Sequence, residues 1–293
     1  MIDLDINSAI TSRAMAGETL SQAELEELDG VDVLSLGMLA DDVRRSRVGD
    51  TVSYTRVIEV GATGLPAAGE LAALLPLCGE VRIAALSDSL EATAAVIRDV
   101  RAAIGPAIRL TGFSLADLMA RDWASLEANL TALKAAGLDA IADAPIDLVT
   151  PADVAAVRAA GLGVRALTVQ QPSQAGRVSL IERVRTFQDS SDSTPFSPLP
   201  REQSATAPTT GYHDVRVVAL ARIGLPGVAT IEVDWQQYGP KLAQVALTFG
   251  ANHLDRVSLV DDPTLGRRRS SLEDVRRNIA AAGFTPVEQG TAV

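Results

Sequence analysis

Four carboxylates, Asp88, Asp143, Asp147 and Asp234, stand just beyond short apolar runs. A carboxylate at such a junction, partly shielded from water, is tuned toward neutral pH and can pass a proton to or from a bound molecule. The same position suits a helix N-cap, and Asp88 in SDSLEAT has that pattern. Ser87, Ser114, Gln170 and Gln171 add hydrogen-bonding groups at comparable junctions, and Trp235, Gln236 and Lys241 follow Asp234. Lys241 faces either an anionic ligand or solvent. Asn252, His253 and Asp255 form a further polar group before an apolar run, where a structural role competes with ligand binding.

Thiolate and metal chemistry find little support. The chain of 293 residues has one cysteine, Cys78, inside the apolar stretch LLPLCGEVRI, where a small packed side chain is the expected state. His213 and His253 are the two histidines; they fall in different elements with no carboxylate at ligand spacing. The expectation is therefore no metal and no cofactor. A net charge of -11 works against attraction to phosphate backbones, so nucleic acid is not an expected partner. No run reaches the ~18 apolar residues of a membrane span, and residues 1–30 lack the order of a signal peptide, so a cytoplasmic protein is expected.

The elements that would position these side chains alternate. Residues 1–50 read as a helical preface, with Ser21 and Glu24 forming a capping box. From residue 51, eight short apolar runs (52–60, 81–86, 107–111, 139–142, 163–169, 194–197, 229–233 and 253–259) alternate with amphipathic helices. The count and order predict an α/β fold, a (β/α)8 TIM-type barrel over 51–293 with an N-terminal helical extension. The junction residues then line the barrel mouth, and the Pro/Ser/Thr-rich stretch from Ser197 to Gly211 is a candidate lid. Arg267, Arg268 and Arg269 are expected on a solvated loop before a helix capped by Ser270 or Ser271.

Two blocks carry a family resemblance. AGETLSQAELEEL with DVLSLGMLADDVRRSRVGDTVSY, and TGYHDVRVVALARIGLPGVATIEVDWQQYGPKLAQVALTFGANHLD, resemble the ends of the radical S-adenosylmethionine enzymes that build menaquinone through futalosine, and of the deazaflavin chromophore synthase. The resemblance implies a barrel whose first loop holds a [4Fe–4S] cluster on C-x3-C-x2-C. Here TRVIEV runs into GATGLPAAGELAALLP without a cysteine. The family's glycine-rich turn after the second strand corresponds to Ala84-Ala85-Leu86-Ser87-Asp88-Ser89, and the glutamate after the third to Thr111-Gly112-Phe113-Ser114. One thiol cannot supply a cluster, so the expectation is a homologue without one. Such a protein would bind a nucleoside-like or aromatic acid ligand, or assist an active protein partner in menaquinone biosynthesis. An enzyme with cofactor-independent lyase, isomerase or hydrolase chemistry, and a non-catalytic scaffold, are the alternatives.

Overall fold

The computed structural model describes residues 6–61, 64–173, 175–188, 194–202, 209–259 and 272–290. Residues 203–208 of the expected lid, and Arg267, Arg268, Arg269, Ser270 and Ser271, lie outside them.

Three helices, α1 (Ser8–Met15), α2 (Gln22–Gly30) and α3 (Val33–Val48), precede the first strand. The Ser21–Glu24 capping box is formed in full, satisfying two backbone amides at the start of α2. The strands are β1 (Thr51–Val60), β2 (Glu80–Ile83), β3 (Arg109–Ser114), β4 (Ala140–Pro145), β5 (Gly163–Val164), β6 (Leu167–Val169), β7 (Phe196–Pro200), β8 (Glu232–Asp234), β9 (His253–Ser258) and β10 (Thr285–Gln289). All the ladders are parallel, in the order β7-β6-β4-β3-β2-β1-β9-β8. The bridge Phe196↔Ile231 joins the two ends of that path and closes the barrel. β5 and β6 both pair with β4 and are two halves of one stave, interrupted at Arg165.

The connecting helices are α4 (Ala68–Leu74), α5 (Leu90–Ile104), α6 (Leu115–Met119), α7 (Leu126–Ala136), α8 (Pro151–Ala159), α9 (Arg177–Thr186), α10 (Gly211–Gly224), α11 (Trp235–Thr248) and α12 (Leu272–Ala281). They lay apolar stripes on the sheet; α5, for example, buries Ile97, Val100 and Ile104. The preface is packed into the same body. α3 runs along α10, and Gly37 lies against the Phe249 ring so closely that a Cβ there would stand 2.6 Å from Cε1.

Three features depart from the sequence expectations. The short helix α6 begins directly at the end of β3. α11 starts at Trp235, capped by Asp234, and kinks at Gly239 (φ 70°) before Pro240, so the Gly-Pro pair, a common way to begin a helix, lies in the middle of this one. β10 extends β1 beside the residues that precede its pairing with β2. β10 also ends hard against Gly79, where a Cβ would stand 2.5 Å from the Gln289 carbonyl oxygen. No helix among the described residues is long and apolar enough to cross a membrane.

Candidate functional site

Both faces of a parallel barrel strand are covered, so its sequence should be apolar throughout. Several strands here break that rule, and the charges they carry meet inside the barrel. Arg82 on β2 makes a bidentate pair with Asp255 on β9, both N–O distances being 3.0 Å, and its Nε donates to Glu80 at 2.8 Å. Arg165 makes a second bidentate pair with Glu232 on β8, again at 3.0 Å, and reaches Asp255 at 3.3 Å. Thr111 donates to Glu80 at 2.7 Å. All of these side chains are buried. Burial opposes the charge on both arginines, yet Asp255 with Glu80 holds Arg82, and Asp255 with Glu232 holds Arg165, above the ordinary arginine value. Burial likewise opposes ionisation of Asp255, but the Arg165 and Arg82 guanidiniums keep it well below the usual carboxylate range.

A second tier lies toward the strands' C-terminal ends. Arg256 adopts φ 56°, a strained conformation for a residue with a side chain. From there it bridges Glu59 on β1, at 2.7 and 2.9 Å, to Asp234 on β8, at 3.0 Å. The other oxygen of Asp234 accepts the Gln237 amide at 2.8 Å and so caps α11. Opposite, Asp143 on β4 is ion-paired with Arg201, just past β7. The backbone around Arg201 is tied to α11 by Gln237, whose side-chain amide donates to the Pro200 and Arg201 carbonyls at 2.9 Å each.

These two tiers form the floor and walls of a cavity of about 210 Å³ at the C-terminal end of the barrel. This is where barrels of this kind place their chemistry. Ser114, at the end of β3, lines it; its hydroxyl is buried and has no hydrogen-bonding partner among the described residues. Ser197 and Thr168 contribute further hydroxyls. Asp117, on α6, stands at the rim, where partial burial and the neighbouring Asp143 charge push its carboxyl above the ordinary aspartate value.

Of the residues singled out from the sequence, Ser114, Asp143, Asp234 and Asp255 converge on this cavity. Asp143 is inside β4, not in the loop after it, and Asp255 reaches the cavity floor from within β9. The others serve elsewhere. Asp88 is exposed, and the cap of α5 is Ser89, whose hydroxyl accepts the Ala92 amide. The Ser87 amide donates to Thr93. Asp147 accepts the amides of Gln170 and Gln171 at 2.8 and 2.9 Å, pinning one mouth loop to another, while those glutamines bind Glu202 through their side chains. Trp235 is fully buried; neither it nor Gln236 lines the cavity, and Lys241 is exposed beside an apolar groove on the outer surface. Asn252 accepts from the Ile231 amide and from Arg222, joining β8 to β9 at their N-terminal ends.

His253 is buried beneath the ionic floor, with Nδ1 2.7 Å from the Ser53 hydroxyl and Nε2 3.3 Å from that of Thr55. Burial pushes its pKa down to about 4, so the ring is neutral at pH 7. Cys78 precedes β2, at the opposite end of the barrel from the cavity; its thiol contacts the Glu80 carbonyl at 3.0 Å, and burial pushes it up. Among the described residues no group of three or more His, Cys, Asp or Glu side chains is arranged to hold a metal.

Sequence reasoning missed Glu59, Glu80, Arg82, Asp117, Arg165, Arg201, Glu232 and Arg256. A signal for most of them was present: single charges set inside apolar strand runs, as in EVRI, GVRAL, TIEV and HLDRVS. Such a charge must find a partner across the lumen.

Comparison with known proteins agrees with this architecture. A family model for the CofH/MqnC C-terminal region matches residues 181–290. The cyclic dehypoxanthine futalosine synthase of Streptomyces coelicolor is 27% identical over 213 residues, covering 63% of this chain and 53% of that protein. The 5-amino-6-(D-ribitylamino)uracil–L-tyrosine 4-hydroxyphenyl transferase of Methanocaldococcus jannaschii is 32% identical over 103 residues, 33% of this chain and 28% of that protein. The chain thus matches about half or less of the length of these relatives. Among solved structures, methylornithine synthase superposes with a TM-score of 0.67 at 13% identity, covering 95% of this chain and 97% of that one, and shares its fold.

Proposed function

We propose that this chain, which is similar to the CofH/MqnC C-terminal region over residues 181–290, is a cluster-free relative whose barrel mouth binds a nucleoside-like ligand through its sugar or polyol part. The observation that carries this reading is the cavity itself: an orphaned Ser114 hydroxyl set among arginines that already have carboxylate partners. Arg82, Arg165, Arg201 and Arg256 are each paired, so an incoming carboxylate would have to displace a carboxylate already in place. A polyol instead inserts neutral donors and acceptors among fixed charges, where hydrogen bonds to ionised groups are stronger than neutral ones. This favours a ribosyl or ribityl compound over an aromatic acid. Both curated relatives are named for compounds related to that chemistry, a futalosine and a ribitylamino-uracil.

The cluster that the family resemblance implies does not fit this donor set. A [4Fe–4S] centre needs several thiolates, whereas the chain has one cysteine, buried at the other end of the barrel. The same kinship supports a menaquinone-related role, and assisting an active protein partner there is the alternative to binding a ligand itself.

The test is thermal unfolding of purified protein with inosine, uridine and chorismate. Concentration-dependent stabilisation by a nucleoside supports the reading; stabilisation by chorismate alone would sink it. A second reading, proton transfer by Asp117 onto the bound ligand, is favoured by the raised carboxyl at the cavity rim. It requires that wild-type protein, and not D117N, convert the nucleoside it binds.

A further inference from the structure

A cavity of about 210 Å³ is small for a whole nucleoside, since ligand sites usually enclose roughly 300–1,000 Å³. A second, more open hollow of about 320 Å³ adjoins it, and the two share Ala84 and Asp117 as common walls. Together they fall within the usual range. Their linings differ in kind. The inner one presents hydroxyls and ion pairs, whereas the outer one is floored by Ala84, Ala85, Leu86 and Ala120 and edged by Arg121. Ala84 and Ala85 carry side chains too short to fill the hollow, and both are exposed. The Arg121 guanidinium lies 5.9 Å from the Trp123 ring centroid, and its charge acts on the Asp117 carboxyl that shares the hollow. Short alanine side chains beside a cation leave room for a planar ring and offer it both apolar and cation–ring contact.

We propose that the two hollows are one bipartite site, in which the outer one seats the planar heterocycle of a nucleoside-like ligand against Ala84, Ala85 and Ala120, with Arg121 as a specificity-determining residue. The inference rests on the reading of the inner cavity and adds the ligand's orientation. The polyol points down to Ser114, and the ring lies outward over the loop after β2. Asp117 stands at the junction, beside the bond that joins ring and sugar.

The experiment compares inosine with ribitol, a polyol without a ring, using calorimetry for inosine and ligand-observed NMR for ribitol. The proteins are wild type, A85W, which fills the outer hollow, and R121A. Inosine affinity should fall by at least 10-fold in A85W and about 2- to 5-fold in R121A, the latter being the range of an exposed cation–ring contact. Ribitol binding should be unchanged in both. Unchanged inosine affinity in A85W and R121A would overturn the bipartite site while leaving the inner cavity intact. An equal loss of ribitol and inosine would overturn it too, because the hollows would then not be separate subsites. If wild-type protein bound neither probe, the underlying reading of the inner cavity would fall with it. R121A, a change on an exposed side chain, gives a readout even if A85W does not fold.

Discussion

Replacing Arg82 with methionine removes one cation from a buried cluster that contains two cations and three carboxylates, Arg82 and Arg165 with Glu80, Glu232 and Asp255. Glu80 and Asp255 then lose their principal partner while remaining buried, and Arg165 can compensate only one carboxylate beyond Glu232 at short range. Breaking a buried pair from one side costs about 3–5 kcal/mol. For a chain of this size that corresponds to a fall in Tm on the order of 10 °C. The loss should depend on pH in a defined sense. In wild type, the arginines depress the Asp255 pKa, so its contribution is present above the unfolded-state value of about 3.9 and is lost as pH falls below it. Without Arg82, burial of Asp255 is opposed by Arg165 with one guanidinium fewer, so that pKa moves up from its wild-type position, and the penalty is largest at neutral pH and relieved as the carboxyl takes up a proton. Urea unfolding at pH 7.5 and 5 should therefore show R82M closer to wild type at the lower pH. D255N should cost less than R82M, because it leaves two cations facing two carboxylates. A difference between R82M and wild type below about 1 kcal/mol at pH 7.5, or a gap that widens at pH 5, would refute this account of the ionic floor.

Other outcomes follow from single contacts. His253, neutral with its pKa pushed down to about 4, contributes stability that is fully present above its unfolded value of about 6.5 and is lost as pH falls toward 4. It is faced by Ser53, Thr55, Glu80, Arg82, Arg165 and Asp255, so the wild-type urea midpoint minus that of H253Q should shrink between pH 7 and 5; a constant difference would contradict the buried neutral ring. Ser114→Ala removes a hydroxyl with no protein partner among the described residues, so it should leave the urea midpoint nearly unchanged while weakening inosine binding about 3- to 10-fold, the value of one hydrogen bond. Gly250 has φ 107°, and a Cβ there would stand 2.6 Å from the Arg222 Cβ; Gly250→Ala should cost about 2 kcal/mol or more in urea unfolding. Ser21→Ala should cost about 1 kcal/mol through loss of the α2 cap.

The barrel was legible in the sequence because its evidence is local and repeated: apolar runs of strand length, helical stripes between them, and glycines after helices. β10 was not, because TPVEQ carries no apolar alternation and becomes a strand only where β1 has no β2 beside it. The site was half legible. Asp143, Asp234, Asp255 and Ser114 were visible as polar groups near strand ends. Their partners come from opposite sides of a closed circuit; Arg82 and Asp255 are 173 positions apart. Which charges face inward depends on the register of each strand, and one residue of slip turns every side chain to the other face. Asp88 and Ser87 failed for the converse reason, since the β2 loop turns them outward and gives the cap to Ser89.

We propose that this barrel mouth binds a nucleoside-like ligand without iron. Titration of iron-free protein with inosine by calorimetry tests it most directly. Saturable binding at one site per chain, weakened in the Ser114→Ala variant, is the expected result. No heat of binding to iron-free protein, with binding restored only after reconstitution with iron and sulfide, would contradict it.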